Sequence, residues 1–206
     1  MIMMLQWLKE EYGYNNPIFL AEIKREDMTS EAIRQSLSRL VKSGQLERYG
    51  QGIYYISTET ILGKSLISAR KVCEKKYISD KEEVYGYTSG LALENEIGLT
   101  TQMPNIIEIV SNKEKSRVRR VKVGSRKVKL RGARTAVTAS NQRVLQFLEL
   151  FNKKRRQELR QDQKRCIVKF AKEQNVRKED VYQYIGYYPA RVAKNLMRSG
   201  IIDELR

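Results

Sequence analysis

Five polar side chains on one predicted helix have the chemistry needed to contact a DNA duplex. Arginine forms paired hydrogen bonds with guanine, glutamine with adenine, and lysine suits phosphate. The five recur at helical spacing and are Arg34, Gln35, Ser38, Arg39 and Lys42. Apolar residues at the same spacing make the opposite face, namely Ile33, Leu37, Leu40 and Val41. We predict a DNA-reading helix with Arg34, Gln35 and Arg39 on base edges; a solvated amphipathic helix is the alternative.

Local signals predict where this helix lies among its neighbours. Thr29 is a good N-cap, and Ser43-Gly44 favours a left-handed helix end. An opening helix precedes it, followed by a second helix that starts at Asn16-Pro17 and carries Phe19, Leu20 and Ile23 toward a core. Residues 46–49 and 53–56 predict a hairpin around a glycine turn. The order predicts a winged helix-turn-helix over residues 1–57, with Arg48, Tyr49 and Gln51 of the wing as further DNA contacts.

The charge is concentrated away from this predicted domain. The chain carries a formal net charge of +16, which favours a polyanionic partner because bound Lys and Arg release counterions from phosphate backbones. Residues 1–57 have no net charge, whereas residues 113–134 have a net charge of +10. The predicted winged helix would therefore supply register and selectivity, and other segments the bulk attraction.

The most basic segment is predicted to be a second hairpin. Residues 117–123 and 126–131 read as strands joined by a tight Gly124-Ser125 turn. This register pairs Val121 with Val128 and places like charges opposite one another, which is destabilising unless an anion binds. The predicted anion-binding residues are Arg117, Arg120, Lys122, Lys127, Lys129 and Arg131. DNA, RNA, an acidic protein surface and plain solvation all remain open here.

Composition argues against an enzyme. Histidine is absent, which removes the usual general base and the commonest transition-metal ligand. Cys73 and Cys166 lie far apart without a CxxC companion, so neither a metal site nor a disulfide is predicted. A metal nuclease cluster would need several carboxylates in one site, and the candidates are Glu94, Glu96 and Glu108 with Lys113. Their spacing in the sequence does not place them together. We predict no catalytic residue, metal or cofactor, and no membrane span.

The remaining chain predicts a mixed second domain over residues 66–206, after a linker at 58–66. Its first part, 66–152, has predicted helices at 66–76, 90–97 and 141–151, a buried strand at 105–110 and the basic hairpin. A basic helical tail covers 153–206. Residues 195–203 repeat the helix-stop pattern of residues 39–47, which predicts either a second helix-turn-helix or helices that pack on the preceding part. The tail's aromatic residues predict a nucleic-acid stacking surface or core packing: Tyr182, Tyr184, Tyr187 and Tyr188, with Arg191.

One run of sequence resembles a known family. From Tyr87 through Ser89, Gly90, Ala92, Leu93, Gly98, Leu99, Thr100 and Gln102 to Pro104, it is similar to the AbiEi-type antitoxins of bacterial type IV toxin-antitoxin systems. The resemblance implies an antitoxin that represses its own operon by binding double-stranded promoter DNA. It also implies that a nucleotidyltransferase-like toxin is counteracted through the C-terminal domain without a stable complex.

The sequence as a whole thus predicts an α+β protein with an N-terminal winged helix-turn-helix, followed by a mixed α/β domain with a basic hairpin and a helical tail. The expected setting is the cytoplasm. A regulator with no toxin partner is the alternative, and both monomeric and dimeric binding suit a winged helix.

Overall fold

The computed structural model describes residues 2–61, 63–81, 83–115, 118–152 and 159–205. The chain is a mixed α+β protein that divides into two compact units, residues 1–75 and 76–206. Each unit has its own hydrophobic core. No helix within the described ranges has the length and apolar character needed to cross a membrane.

The first unit is built around a three-stranded sheet and two α-helices. Its elements in chain order are α1 (Ile2–Tyr12), β1 (Ile18–Phe19), a 3-10 turn (Leu20–Glu22), α2 (Ser30–Lys42), β2 (Glu47–Gly50) and β3 (Ile53–Tyr55). The strands lie in the order β1-β3-β2, and both pairings are antiparallel. Side chains from α1, β1 and α2 meet in the core, where Leu8, Ile18 and Leu37 are fully buried.

The prediction of a second helix that starts at Asn16-Pro17 is wrong. Residues 18–19 form β1 instead, and only one 3-10 turn follows. Ile18 and Phe19 pair with Tyr54 and Ile53 of β3. Ile23 is buried as predicted, whereas Phe19 and Leu20 are half-buried. A proline suits a first helical turn, but pairing with a distant strand satisfies the same backbone groups while burying Ile18.

Helix α2 begins and ends where the local signals predict. The Thr29 side chain accepts a hydrogen bond from the Ala32 amide at 3.2 Å, which satisfies one of the helix's first amides. Gly44 adopts a φ of +69°, a conformation that glycine reaches without strain. Of the predicted apolar face, Ile33, Leu37 and Leu40 are buried, as predicted, and Val41 is half-buried.

The predicted linker at 58–66 belongs to the first unit in the structure. It contains a small hairpin of β4 (Glu59–Thr60) and β5 (Gly63–Lys64). The Lys64 ammonium donates to the Gly44 carbonyl at 2.6 Å and to the Glu47 carboxylate at 2.8 Å. It thereby ties the end of α2 to the start of β2. Helix α3 (Ala69–Tyr77) follows, and the division between the units falls within it.

The second unit contains a four-stranded mixed sheet. After the short strands β6 (Ser79–Asp80) and β7 (Glu83–Val84) come β8 (Gly86–Ser89), β9 (Ile106–Ser111), β10 (Arg119–Val123) and β11 (Arg126–Gly132). The order is β10-β11-β9-β8, with β11 and β9 parallel and the other pairs antiparallel. Gly86 is required sterically, because a Cβ there would lie 2.1 Å from the Tyr77 carbonyl and 2.6 Å from the Val110 carbonyl.

Helices complete the second unit and share one core with its sheet. They are α4 (Gly90–Glu96), α5 (Gln142–Leu150), α6 (Gln161–Glu173), α7 (Lys178–Ile185) and α8 (Ala190–Ser199), followed by a 3-10 turn (Ile201–Glu204). Tyr87 and Val110 from the sheet, Phe147 from α5 and Leu196 from α8 are buried in the same cluster. The described part of the predicted tail therefore packs on the preceding part. Residues 153–158 lie outside the described ranges.

Candidate nucleic-acid interfaces

The exposed face of α2 brings together the five predicted DNA-contacting side chains of that helix. All five are solvent-exposed, and they are Arg34, Gln35, Ser38, Arg39 and Lys42. They project on the side opposite the buried leucines, so nothing in the first unit's core has to move for them to meet a ligand. The face has the donors and acceptors that direct readout in a major groove requires.

Arg34 has one acidic neighbour on this face. Its guanidinium lies 3.1 Å from the Glu31 carboxylate, one turn earlier in α2. Both side chains are more than half exposed. An exposed pair at this spacing contributes only a few tenths of a kcal/mol, so Arg34 can exchange Glu31 for a base or phosphate at little cost.

The hairpin of β2 and β3 carries the other predicted contacts of the first unit. Arg48 and Gln51 are exposed, and Tyr49 is half-buried at an irregularity in the strand pairing. Burial raises the pKa of Tyr49, and its hydroxyl, which is protonated at neutral pH as in any tyrosine, can donate to a phosphate. The turn is held in place because the Leu20 amide donates to the Gly52 carbonyl at 2.9 Å.

The basic hairpin of the second unit has the predicted register. Val121 pairs with Val128, Lys122 with Lys127, and Arg120 with Lys129. Gly124 adopts a φ of +57° in the turn. The paired valines and the paired cations lie on opposite faces of the hairpin because side chains alternate along a strand. Like charges therefore face each other directly, as the sequence predicted.

The structure divides the predicted anion-binding residues into two groups. Arg120, Lys122 and Lys127 are exposed, and none has an acidic partner among the described residues. Lys129 instead pairs with Glu108 of β9 at 2.8 Å, and Arg131 pairs with Glu149 of α5 at 2.7 Å. Arg117 lies outside the described residues. We call the exposed group, Arg120, Lys122 and Lys127, the basic triad.

Arg131 belongs to a polar network inside the second unit. Burial opposes its charge, but the Glu149 carboxylate outweighs this and raises the pKa of Arg131. The Tyr87 and Tyr188 hydroxyls lie 3.2 Å apart, and Tyr188 donates to the Leu145 carbonyl at 3.0 Å. The network joins the sheet to α5 and to the turn before α8. Its members are distant in sequence, so the sequence contained no local signal for it.

The predicted aromatic stacking surface is also divided. Tyr182 and Tyr187 are exposed, whereas Tyr184 is half-buried and Tyr188 is buried. Arg191 donates to the Asn152 side-chain oxygen at 2.8 Å. Burial raises the pKa of Tyr188 well above its usual range. Tyr188 therefore has a packing role, and only the exposed pair remains available for stacking.

The 87–104 run that resembles antitoxins forms β8, α4 and the loop after α4. Its residues have clear structural roles. Tyr87, Ser89 and Leu93 are buried, and a Cβ at Gly90 would lie 2.7 Å from the Glu108 carboxyl carbon. The Asn95 side-chain amide donates to the Thr100 backbone carbonyl at 3.2 Å. The pattern of the run thus follows from a strand-to-helix turn and a capped loop.

The candidate carboxylate cluster of Glu94, Glu96 and Glu108 does not form around Lys113. Glu108 is occupied by Lys129, and the Lys113 ammonium lies 3.4 Å from the centre of the Tyr85 ring. Among the residues that the structure describes, no group of three or more acidic or cysteine side chains is arranged to hold a metal ion. Cys73 and Cys166 are not joined in a disulfide; Cys73 is buried and Cys166 is half-buried.

Comparison with known proteins gives one family match, which covers residues 17–177. The chain belongs to DUF6088, a family of unknown function. The DUF6088 segment includes α2, the basic triad and α6, and it ends before α7 and α8. Neither a curated protein nor a solved structure matches the chain. The family match does not connect the chain to the antitoxins that the 87–104 run resembles.

Proposed function

We propose that this protein is a sequence-specific DNA-binding regulator that reads its site through α2. The observation that carries the proposal is the exposed face of α2, where Arg34, Gln35 and Arg39 stand opposite a buried apolar face. These are the side chains best suited to guanine and adenine edges, held on a rigid element of the right diameter for a major groove.

The order of elements in the first unit supports the proposal. A helix, a strand, a single turn, a second α-helix and a hairpin follow one another, and the early strand joins the hairpin's sheet. This order suits a winged helix-turn-helix whose middle helix is reduced to one 3-10 turn. In that arrangement α2 is the recognition helix, and Arg48, Tyr49 and Gln51 reach the backbone beside it.

Charge supports a division of labour between the units. Residues 1–57 carry no net charge, so we expect other segments to supply much of the attraction to the phosphate backbone. The basic triad of the second unit is a strong source of such attraction, because its three cations have no acidic partner among the described residues. We assign selectivity to α2 and part of the attraction to the triad.

The experiment compares two variants on a duplex that spans the region upstream of the protein's own coding sequence. The double variant Arg34→Ala/Arg39→Ala removes two proposed base contacts, each worth roughly 1–3 kcal/mol. We expect fluorescence anisotropy to show that affinity for this duplex falls at least about thirtyfold, with a much smaller fall for an unrelated duplex.

The matched control is Lys24→Ala/Lys71→Ala. It removes the same charge from exposed positions of the same unit outside α2. It should lower the affinity for both duplexes slightly and equally. If the α2 variant left the ratio between upstream and unrelated duplexes unchanged, α2 would not be the reading helix.

We propose further that the regulator is a cytoplasmic antitoxin that represses its own operon. This part rests on the resemblance of the 87–104 run, and it names a nucleotidyltransferase-like toxin as the functional partner, counteracted without a stable complex. The proposal includes no catalytic step, metal or cofactor. A regulator without a toxin is the competing function, and the two differ in what the neighbouring gene encodes.

Co-expression separates these two functions. A nucleotidyltransferase-like neighbour should arrest growth when expressed alone, and this protein should relieve the arrest. The Arg34→Ala/Arg39→Ala variant should still relieve it while losing repression of a reporter, since we assign the two tasks to different units. Persistent arrest with the wild-type protein would exclude the antitoxin part and leave DNA reading intact.

A further inference from the structure

Helices α7 and α8 form a second helix-turn-helix arrangement in the other unit. A four-residue turn, Gly186-Tyr187-Tyr188-Pro189, joins them. Val181 of α7 and Val192 and Leu196 of α8 are fully buried, so the two helices share one core. Short glycine-containing turns of this length are typical of DNA-binding helix pairs.

The end of α8 repeats the end of α2 in detail. The Ser43 hydroxyl donates to the Leu40 carbonyl at 3.1 Å, and the Ser199 hydroxyl donates to the Leu196 carbonyl at 2.6 Å. The following glycines, Gly44 and Gly200, have φ values of +69° and +71°. Two residues after each glycine, a buried side chain packs in the core of its unit: Leu46 in the first unit and Ile202 in the second.

The outward face of α8 is basic and lacks acidic residues. Its exposed side chains are Ala190, Lys194, Met197 and Arg198, which recur at helical spacing. No aspartate or glutamate occurs in α8, whose sequence is ARVAKNLMRS. Lys194 and Arg198 have no acidic partner among the residues described. Exposed Tyr187 lies in the turn immediately before the helix.

We propose that α7 and α8 are a second DNA-reading head, with α8 as the helix that enters a groove of double-stranded DNA. Lys194 and Arg198 contact the backbone and base edges, and Met197 packs against a thymine methyl or a sugar. The small side chain of Ala190 lets the start of the helix approach the duplex closely. Charge complementarity favours DNA, because the charged side chains that α8 exposes, Lys194 and Arg198, are both cationic.

This second head does not depend on the first. Its helices lie beyond the DUF6088 segment, and they pack in a different core from α2. A protein with both heads would bind two sites on one duplex or on two duplexes, so its avidity would exceed the affinity of either head. The loss of one head should leave the other in place.

The first test measures how affinity for a mixed-sequence 24-base-pair duplex depends on salt, with the full chain. Removing one phosphate contact lowers the log–log salt slope by about 0.9, so Lys194→Ala/Arg198→Ala should lower it by about 0.9 if one of the two side chains contacts phosphate and by about 1.8 if both do. The control Arg165→Ala/Lys172→Ala removes two exposed cations of α6 and should change the slope by less than half as much. Equal changes in both variants, or no change in the α8 variant, would overturn the proposal.

A second variant guards against a loss of folding. Ala190→Glu places a carboxylate in the first turn of α8, where it interacts favourably with the helix dipole and should raise the melting temperature. The same carboxylate should repel DNA and weaken duplex binding about tenfold or more. Stabilisation together with weaker binding supports a DNA-facing α8, whereas unchanged binding contradicts it.

The two heads are separated by selection from a random-sequence duplex library. The Arg34→Ala/Arg39→Ala protein should still enrich a motif, and adding Lys194→Ala/Arg198→Ala should abolish that enrichment. If the α2 variant enriches nothing while the α8 variant enriches the wild-type motif, only the second head is disproved. If instead the α8 variant enriches nothing while the α2 variant enriches the wild-type motif, reading by α2 is disproved and the second head is retained.

Discussion

The Arg131 guanidinium lies 2.7 Å from the Glu149 carboxylate, and it joins the last strand of the basic hairpin to helix α5. The Glu149 side chain is only 6% exposed and that of Arg131 is 23% exposed. A residue that the sequence placed in an anion-binding surface thus has an internal carboxylate as its partner. The pair fixes the hairpin to the helices, while the basic triad stays exposed.

Breaking this pair on one side should destabilise the second unit strongly. Glu149→Gln leaves the Arg131 charge buried without a countercharge, which costs about 3 kcal/mol. The double variant Arg131→Met/Glu149→Leu should be destabilised less than the sum of Arg131→Met and Glu149→Leu, by about 1–3 kcal/mol. Urea unfolding measures all four variants. Strictly additive effects would show that the two side chains do not stabilise the fold as a pair.

Stability should fall at alkaline pH because of two buried tyrosines. Burial raises the pKa of Tyr87 and of Tyr188 in the folded protein above the value near 10 that tyrosine has when unfolded. A group whose pKa is raised on folding makes its full contribution to the free energy of unfolding below its unfolded pKa. For tyrosine this contribution declines as pH rises past 10. Each tyrosine should lower the free energy of unfolding by up to about 1.4 kcal/mol per pH unit there.

Tyr188→Phe tests this expectation. It removes the hydrogen bond to the Leu145 carbonyl and should cost about 1 kcal/mol at neutral pH. It should also make the decline above pH 10 shallower, since one ionising hydroxyl is gone. Tyr182→Phe, at an exposed position, should unfold like the wild type at neutral pH. An unchanged alkaline slope in Tyr188→Phe would contradict the assigned cause.

Removing the facing cations of the basic hairpin should have opposite effects on stability and binding. Lys122 and Lys127 pair directly across the strands, so Lys122→Ala/Lys127→Ala should stabilise the protein by up to about 1 kcal/mol at low salt. High salt should abolish this gain by screening the repulsion. The same variant should elute earlier from a heparin column. Arg165→Ala/Lys172→Ala is the control, and if it stabilised the protein equally, overall charge rather than strand pairing would be the cause.

Features encoded by adjacent residues were predictable from the sequence. The limits of α2 followed from Thr29 and Gly44, because a cap satisfies backbone groups within a few residues of itself. The register of β10 and β11 followed from the two-residue turn for the same reason. The five exposed side chains of α2 could therefore be named before the fold was known.

Features that depend on distant partners were not predictable in this way. Asn16-Pro17 has the local chemistry of a helix start, yet pairing with β3 made a strand of Ile18 and Phe19. No local signal showed that β11 runs parallel to β9 and places Lys129 beside Glu108. Nor did any adjacent residue show that Lys64 would hold the end of α2 from twenty positions away.

The sequence by itself determined which polar side chains share the exposed face of α2, since helical period and caps are local properties. Only the tertiary structure decided which cations remain available. Arg131 and Lys129 are paired with carboxylates from other elements, whereas Arg120, Lys122 and Lys127 have none among the described residues. The reason is physical: whether a charge is compensated depends on what the fold brings within a few ångströms, and that distance is unrelated to separation along the chain.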